Sequence, residues 1–450
     1  MNTRIDTRDD SAAELDRLAR LTEEVIDRAR AAGADQAEVA ASIDTGLDVS
    51  VRLGEVETIE HTRDRGFGLT VYFDHRKGSA STADLRPESI AATIEQACAI
   101  ARYTERDPCA GLADASCMAT EFPDLDAWHP WDIEVARAID LGCEIEDAGR
   151  AESGISNSEG ASVQVGAGLT VYANSHGFVG RRRGTRHSLS CALIAGDEDG
   201  MQRDYWYDVV RDAGLLMPAA ELGREAARRT LARRGARGLS TRQCPVLLAP
   251  NIARSVIGHL LSAVSGGALY RNASFLRDCV GQQLLPAWLS IVEQPLLRGG
   301  LGSAAFDAEG VATRESPLVE DGVLARYVLG SYSARKLGLE STGNAGGVHN
   351  IIVSHGDDDF AAMLRRLGTG LLVTEVMGQG VSIVTGDYSR GAAGFWIENG
   401  EIAHAVEGVT IASNLRQMLA GIVAVGADVD RRSHILTGSM LLERMTVAGD

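Results

Sequence analysis

The chain has 450 residues, of which 45% are hydrophobic and 24% are charged, and its formal net charge is −18. This length is too great for one ordinary hydrophobic core, so we expect two domains. The negative charge argues against binding of nucleic acid, which needs a basic face. No apolar run approaches the ~20 residues that cross a bilayer, and the N-terminus lacks the apolar core of a secretory signal. We therefore expect a cytoplasmic protein without a membrane partner.

The N-terminal half alternates helices with short strands. After a polar segment at 1–12, which we expect to be disordered, leucines recur at helical spacing as far as Gly33. We expect an N-terminal α+β domain at 13–235. Its predicted elements are helices at 12–32, 86–103, 132–152 and 217–234, and strands at 36–43, 47–53, 55–61 and 66–73.

A short internal match lies in this half. The five residues 68–72 read Gly-Leu-Thr-Val-Tyr, and the same five letters return at 168–172. A duplicated strand–helix unit would produce this match, and so would chance, because these residue types are common in strands. Both interpretations stay open at this point.

The polar stretch 236–243 marks the boundary to a second, β-rich domain at 244–450. A strand at 244–248 and an apolar helix at 251–264 open this domain, and further helices are expected near 357–367 and 414–420. Asn251 is the predicted N-cap of the first of these helices. The fold class is α+β, with antiparallel sheet and packed helices in both domains. We expect the C-terminal sheet to be large, curved and barrel-like.

A glycine-rich block at 378–415 predicts a β-meander. Apolar residues fall at strand alternation, and glycines are expected at the turns between strands. Asn399-Gly400 is typical of a type I′ hairpin turn, which needs positive φ at both central positions. The apolar set is Val381, Ile383, Phe395, Ile397 and Ile402, and the glycines are Gly386, Gly391, Gly394 and Gly400.

The seven cysteines show none of the close pairs that bind zinc or carry redox chemistry. They are typical of reduced, mostly buried thiols.

This block and three other segments resemble the TldD/PmbA metallopeptidase family. The other segments are SGGALYRNASFL at 265–276, STGNAGGVHN at 341–350 and ERMTVAG at 443–449. The family contains subunits that carry zinc and subunits that do not. In the zinc-bearing kind, an HExxxH helix supplies two histidine ligands and a glutamate that acts as general base.

The helix at 251–264 departs from that motif. Aligning the shared Gly258-His259 puts Arg254 at the first histidine and Ser255 at the glutamate, so only His259 is retained. Arginine has no lone pair for a metal, and serine needs a base of its own. The zinc-bearing relatives also use a later cysteine, and this chain has none after Cys279. The resemblance is therefore to the PmbA (TldE) type, with no catalytic residue, metal or cofactor expected in this chain.

The resemblance implies a partner. PmbA-type chains pair with a TldD-type zinc subunit, which gives a cytoplasmic assembly that degrades or processes unfolded peptides. A homodimer is possible for the isolated chain. One alternative is a self-sufficient homodimeric metallopeptidase with an unrecognised metal site, drawn from His259, His349, His355 and His404. Another is a non-enzymatic regulatory protein, suggested by the family's label as a modulator of DNA gyrase.

Glycine-rich strands let an extended peptide approach a sheet closely, or they simply bend the sheet. The candidate peptide-cleft residues are Gly378, Gly380, Ser382, His259, Asn344 and His349. For His259 a structural role on an apolar helix is the alternative. A basic cluster at 181–187 predicts either contact with an acidic peptide or partner, or a charged hairpin edge that resists aggregation.

Overall fold

A computed structural model describes residues 11–196 and 200–449. The predicted disorder at 1–12 falls mostly outside these residues, and Ser11 and Ala12 already belong to the first helix. Helices pack on sheets whose neighbouring strands are mostly antiparallel, which confirms the α+β prediction. None of the helices in the described ranges is both long and apolar enough to span a membrane.

The described chain forms nine α-helices and three sheets. The helices are α1 Ser11–Ala31, α2 Pro87–Tyr103, α3 Val135–Arg150, α4 Ala219–Ala232, α5 Pro250–Ala263, α6 Gly266–Tyr270, α7 Ser331–Leu337, α8 Phe360–Leu367 and α9 Leu415–Ala420. The strands are β1 Gln36–Arg52, β2 Glu55–Phe73, β3 Arg76–Thr82, β4 Ile155–Asn174, β5 Val179–Ala195, β6 Gln202–Val210, β7 Arg242–Leu248, β8 Ile291–Glu293, β9 Ser316–Glu320, β10 Val323–Leu324, β11 Ile351–Val353, β12 Gly370–Met377, β13 Asp387–Glu398, β14 Glu401–Asn414, β15 Ile422–Val425, β16 Ile435–Leu436 and β17 Met440–Ala448.

The first sheet has the strand order β3-β2-β1-β4-β5-β6. The buried residues of β1 are odd-numbered, so they lie on one face of the sheet. Helices α1 and α2 cover the first half of this face, from Val39 to Ile43, and α3 and α4 cover the second half, from Leu47 to Val51. The predicted break in β1 is wrong, because Gly46 stays within the ladder and pairs with Thr62.

The repeated pentapeptide flanks β1 on both sides. Leu69 of β2 pairs with Val39, Leu169 of β4 pairs with Ile43, and both strands run antiparallel to β1. The hydroxyls of Tyr72 and Tyr172 donate to the two carboxylate oxygens of Glu38, each at 2.8 Å. The two copies thus flank β1 at registers four residues apart and end on a shared side chain, an arrangement that agrees with duplication.

The C-terminal half contains a barrel. Its sheet has the order β14-β13-β12-β7-β17-β15, and an additional pairing of β14 with β17 closes five of these strands on themselves. This closure confirms the barrel-like prediction. A third sheet, β10-β9-β8-β11-β16, lies in the same half, and one continuous apolar cluster joins the two.

The glycine-rich block is partly as predicted. Asn399 and Gly400 have φ of 52° and 81°, which confirms a turn with two positive φ values between β13 and β14. The turns predicted at Gly391 and Gly394 are wrong, because both residues lie inside β13. A Cβ on Gly394 would lie 1.9 Å from the carbonyl oxygen of Leu372, so this glycine permits close strand contact.

The remaining apolar positions of this block also differ from a regular meander. Val381 and Ile383 lie outside the strands, in a turn that precedes β13. Ile402 lies in β14 but is 52% exposed. Strand alternation therefore correctly predicted that Phe395 and Ile397 are buried in a strand. The same prediction failed for Val381 and Ile383, which lie outside the strands, and for the exposed Ile402.

We expect Gly223→Ala to destabilise the fold by ~1–3 kcal/mol, because small residues let α3 and α4 approach closely. A Cβ on Gly223 would lie 2.0 Å from the carbonyl oxygen of Ile145. Gly258→Ala in α5 is the matched control, since nothing lies within 4 Å of its Cβ position. We expect that change to stabilise by about 0.5–1 kcal/mol. Urea denaturation measures both, and equal effects would contradict this packing account.

Candidate functional site

Helix α5 follows β7 directly and lies against the apolar core of the barrel half. The predicted stripe Ile252, Val256, Leu260 and Val264 is buried, with exposures of 5%, 0%, 1% and 0%. The predicted N-cap is wrong, because Ala249 occupies that position and Pro250 is the first helical residue. Proline has the fixed φ of a first turn and no N–H to satisfy, so the helix begins one residue before its predicted start at 251, and its N-cap lies two residues before Asn251. The Asn251 side chain instead donates to the carbonyl oxygen of Thr374 at 3.4 Å.

Arg254 takes part in a buried ion-pair cluster. Its Nη1 atom lies 3.7 Å from Oδ2 of Asp430, whose side chain is 3% exposed. Its Nη2 atom donates to the hydroxyl of Tyr207, in β6, at 3.4 Å. A charged carboxylate at this depth requires cationic partners, so Arg254 acts as a structural cation.

Arg432 completes this cluster. Its guanidinium donates to both oxygens of Asp430, at 2.9 and 3.1 Å, and to the carbonyl oxygen of Tyr207 at 3.0 Å. The same group lies 3.9 Å from the ring centroid of Trp206, a cation–π contact. Burial alone raises the pKa of Asp430, but the bonds and charges of Arg432 and Arg254 outweigh burial and lower that pKa.

Ser255 and His259 have different surroundings. The Ser255 hydroxyl donates to the carbonyl oxygen of Ile252 at 2.7 Å, so it is used within the helix. His259 lies edge-on to Tyr388, with ring centroids 6.1 Å apart, and its buried Nε2 atom has no hydrogen-bond partner in the described residues. Burial and the charge of Arg390 lower the pKa of His259.

The residues on α5 do not fit a zinc ion. Arg254 is a cation without a lone pair, Ser255 is engaged with the backbone, and one histidine is not a zinc site. Within 11–196 and 200–449, no three His, Cys, Asp or Glu side chains are grouped so that they could hold a metal ion. The hydrolytic chemistry of a metal-bound water therefore has no set of ligands at this helix.

The structure brings Asn344 and His349 together on the carboxylate of Glu293, a side chain that is 2% exposed. The Asn344 amide donates to both oxygens of Glu293, at 2.9 and 3.1 Å, and His349 meets one oxygen through its backbone N–H and its ring Nδ1. Arg326 supplies the balancing charge. These two cleft candidates are thus buried parts of a polar network.

Gly378, Gly380 and Ser382 lie in the turn that precedes β13. A Cβ on Gly380 would lie 1.9 Å from the carbonyl oxygen of Ser389, so Gly380 allows close contact within the chain itself. The Ser382 hydroxyl accepts the Thr385 N–H at 3.3 Å. Val381 forms a β-bridge with Tyr388, and the ring of Tyr388 contacts His259. Gly378, Gly380 and Ser382 therefore lie in the same neighbourhood as the fourth candidate, His259. Their contact with peptide stays a prediction.

Sequence reasoning missed the acidic centres of both networks, Glu293 and Asp430. Neither residue belongs to a motif. Glu293 acquires Arg326 and His349 from distant segments, and Asp430 acquires Arg254 from a distant segment besides its near neighbour Arg432. The only available signal was that a buried acid needs a partner, and the sequence did not show which acids are buried.

The fold and α5 define a class of protein. Three family models match in succession: PmbA/TldA metallopeptidase domain 1 at 37–101, the central domain at 128–234 and the C-terminal domain at 241–449. The chain therefore belongs to the PmbA/TldA metallopeptidase family, as the sequence motifs predicted.

Individual relatives extend over nearly the whole chain. The chain is 50% identical to the Metalloprotease PmbA of Escherichia coli O157:H7 over 416 residues, which is 92% of each chain. A crystal structure of a candidate modulator of DNA gyrase from Bacteroides thetaiotaomicron superposes with a TM-score of 0.92 at 25% identity, covering 97% of this chain and 99% of that one. TldE from Thermococcus kodakarensis shares the fold, with a TM-score of 0.85, 20% identity and coverage of 95% and 100%.

We expect Glu293→Gln to destabilise the protein by ~3–5 kcal/mol at neutral pH, because it leaves the charge of Arg326 buried without a partner. Burial raises the pKa of Glu293, but the bonds from His349 and the charge of Arg326 outweigh it and lower that pKa to about 2. The wild-type carboxylate therefore contributes stability above its usual pKa of 4.5 and loses that contribution as the pH falls towards 2.

The stability gap between wild type and Glu293→Gln should thus narrow between pH 4.5 and 3, as denaturant unfolding at each pH would measure. Glu443→Gln is the control, because Glu443 is exposed on β17 and should change stability by less than about 0.5 kcal/mol. A gap that stayed constant across this pH range would contradict the assignment.

Proposed function

We propose that this chain is the non-catalytic subunit of a cytoplasmic zinc metalloprotease. In this proposal it forms a heterodimer with a TldD-type subunit that carries zinc and HExxxH, and the pair cleaves unfolded peptides. The observation that carries the proposal is on α5, where Arg254 is bound to the buried Asp430 and Ser255 is bound to the helix backbone.

The surroundings of Arg254 support a structural role for this residue, which is to balance the charge of Asp430. Asp430 needs more than one cation at its depth, and Arg254 and Arg432 both approach it. A histidine at 254 would be shorter, and in its neutral, metal-binding form it would carry no charge to offer Asp430. The network and a zinc ligand therefore exclude one another at this position.

A non-catalytic subunit can still bind and position the peptide substrate. Cleavage by a metal-bound water requires the substrate chain to be held extended and in register with the scissile bond. The closed barrel and the glycine-rich turn beside His259 offer backbone and small side chains for such contact. Zinc in the partner subunit would polarise the carbonyl and activate the water.

Metal analysis and reconstitution test the proposal. We expect the purified chain to contain far less than one zinc per molecule and to show no chelator-sensitive cleavage of an unfolded peptide. Mixing it with the TldD-type subunit of the same organism should give cleavage that exceeds the sum of the two alone. A partner whose HExxxH glutamate is changed to glutamine is the control, and that mixture should be inactive.

Two outcomes would contradict the proposal. Stoichiometric zinc in this chain, together with cleavage that chelation abolishes, would favour the self-sufficient metallopeptidase. A pull-down that recovers gyrase but no zinc-bearing homologue would favour the regulatory protein.

A further inference from the structure

A cavity of about 800 Å³ lies beside strand β5, apart from α5. This volume is in the range of sites that hold a ligand. The cavity is bounded by the segment 122–128, by residues 181–186 of β5, and by the segment 301–306 of the C-terminal half. We call it the β5 groove.

One wall of the β5 groove is an open sheet edge. Strand β5 pairs with β4 along its length, but β6 pairs only with residues 187–195. The Thr185 N–H donates to the carbonyl oxygen of Ala127 at 2.9 Å, and the Thr185 carbonyl accepts from Nη1 of Arg211 at 3.3 Å, so both groups point away from β4. Because strand residues alternate, the N–H and C=O groups of Arg183 and Arg181 point the same way. Within the described residues these groups have no backbone partner.

The β5 groove also contains unpaired positive charge. Arg182, Arg183, Arg186 and Arg211 form no ion pair with any carboxylate in the described residues. Arg182 is the most enclosed: its guanidinium lies 4.0 Å from the centroid of Phe306, and its buried Nε atom has no partner. Burial lowers the pKa of Arg182 to about 10. Arg182 Nη2 donates to the carbonyl oxygen of Asp307 at 3.0 Å and Arg211 Nε to that of Gly300 at 2.9 Å, so these groups are hydrogen-bonded but their charge has no balancing anion. The groove therefore favours an anionic occupant.

The acidic side chains around the groove offset little of this charge. Asp124 and Asp126 lie 3.6 and 4.0 Å from Arg298, and Asp126 also lies 3.0 Å from His129. Asp44 is the one lining carboxylate without an ion pair in the described ranges. The net charge that faces the cavity is therefore positive, in a chain whose total is −18.

We infer that the β5 groove binds an extended acidic segment of polypeptide, which adds as a strand to the edge at Arg181–Arg183 and places carboxylates against Arg183 and Arg186. Free backbone donors and acceptors match a peptide strand, and bidentate arginines match carboxylates. Nucleic acid fits less well, because it offers no strand-forming backbone and meets a strongly acidic protein. The inference names a substrate class for the proposed function, but its test needs this chain alone.

Binding of a labelled peptide tests the inference. The probe is a fluorescein-labelled octapeptide in which pairs of Glu alternate with pairs of Thr, so that both faces of the added strand carry carboxylates, and its binding to the full-length chain is followed by fluorescence anisotropy. The same peptide with Gln for Glu removes the charge without any change in the protein, and we expect its affinity to fall by about tenfold or more. Methylating alternate backbone nitrogens blocks strand pairing and should weaken binding to a similar extent.

Protein variants give the matching measurement. Arg183→Gln/Arg186→Gln should weaken binding of the acidic peptide by about tenfold or more and leave the Gln peptide unaffected. Arg63→Gln/Arg65→Gln is the matched control, because it removes the same charge from exposed residues of β2 that do not line the groove. Circular dichroism and thermal melting verify that both variants fold.

Several results would overturn the inference. Equal affinity of wild type for the Glu and Gln peptides would exclude recognition of carboxylates. Equal affinity for the methylated peptide and its parent would exclude pairing of the peptide as a strand. Equal affinity of both double variants would exclude the β5 groove. A single-stranded oligonucleotide that binds more tightly than the peptide, and is lost in Arg183→Gln/Arg186→Gln, would identify a phosphate site instead.

Discussion

The junction at Asp430 is the interaction on which the candidate site depends. Its buried carboxylate is stable only with cations beside it, and Arg254 of α5 and Arg432 supply them. Because Arg432 also stacks on Trp206 and bonds to Tyr207 of β6, the same ions tie the barrel half to the first sheet. A residue that stands in a catalytic position by alignment has therefore become part of the contact between the two halves.

A second buried acid organises the neighbouring region in the same way. Glu293 contacts His349, Asn344 and Arg326, which come from separate segments. Hydrogen-bonding groups of the cleft candidates His349 and Asn344 are therefore used within the protein. His259 is different, since its Nε2 atom and the hydroxyl of the 1%-exposed Tyr388 both lack partners in the described residues. Asn344 and His349 are thus bonded to Glu293, whereas these two buried polar atoms at α5 are not satisfied within the described residues.

Together these features support the proposed division of roles between this chain and a zinc-bearing subunit. In this chain α5 packs beside the barrel, and its residues Arg254 and Ser255 serve structure, the first at Asp430 and the second within the helix. The wall 301–306 of the β5 groove contacts His434, since a Cβ on Gly302 would lie 2.7 Å from the Cβ of His434. His434 precedes β16, which contacts α5, so the β5 groove lies near α5. Under the proposed function, a peptide held in that groove would lie near α5, the helix that would carry HExxxH in the zinc-bearing partner.

The sequence by itself determined the family, the fold class, most helices and the absence of an HExxxH motif, because these depend on local patterns and fixed spacings. The sequence also predicted a turn at Gly394, and this prediction failed because Gly394 lies inside a strand whose neighbour leaves no room for a Cβ. Only the tertiary structure decided that five strands close into a barrel, that Asp430 and Glu293 are buried, and that β6 leaves part of the β5 edge free. The barrel, the two buried acids and the free strand edge each depend on contacts between segments far apart in the chain. The charge of a buried side chain, in particular, is balanced by residues that only the folded chain brings beside it.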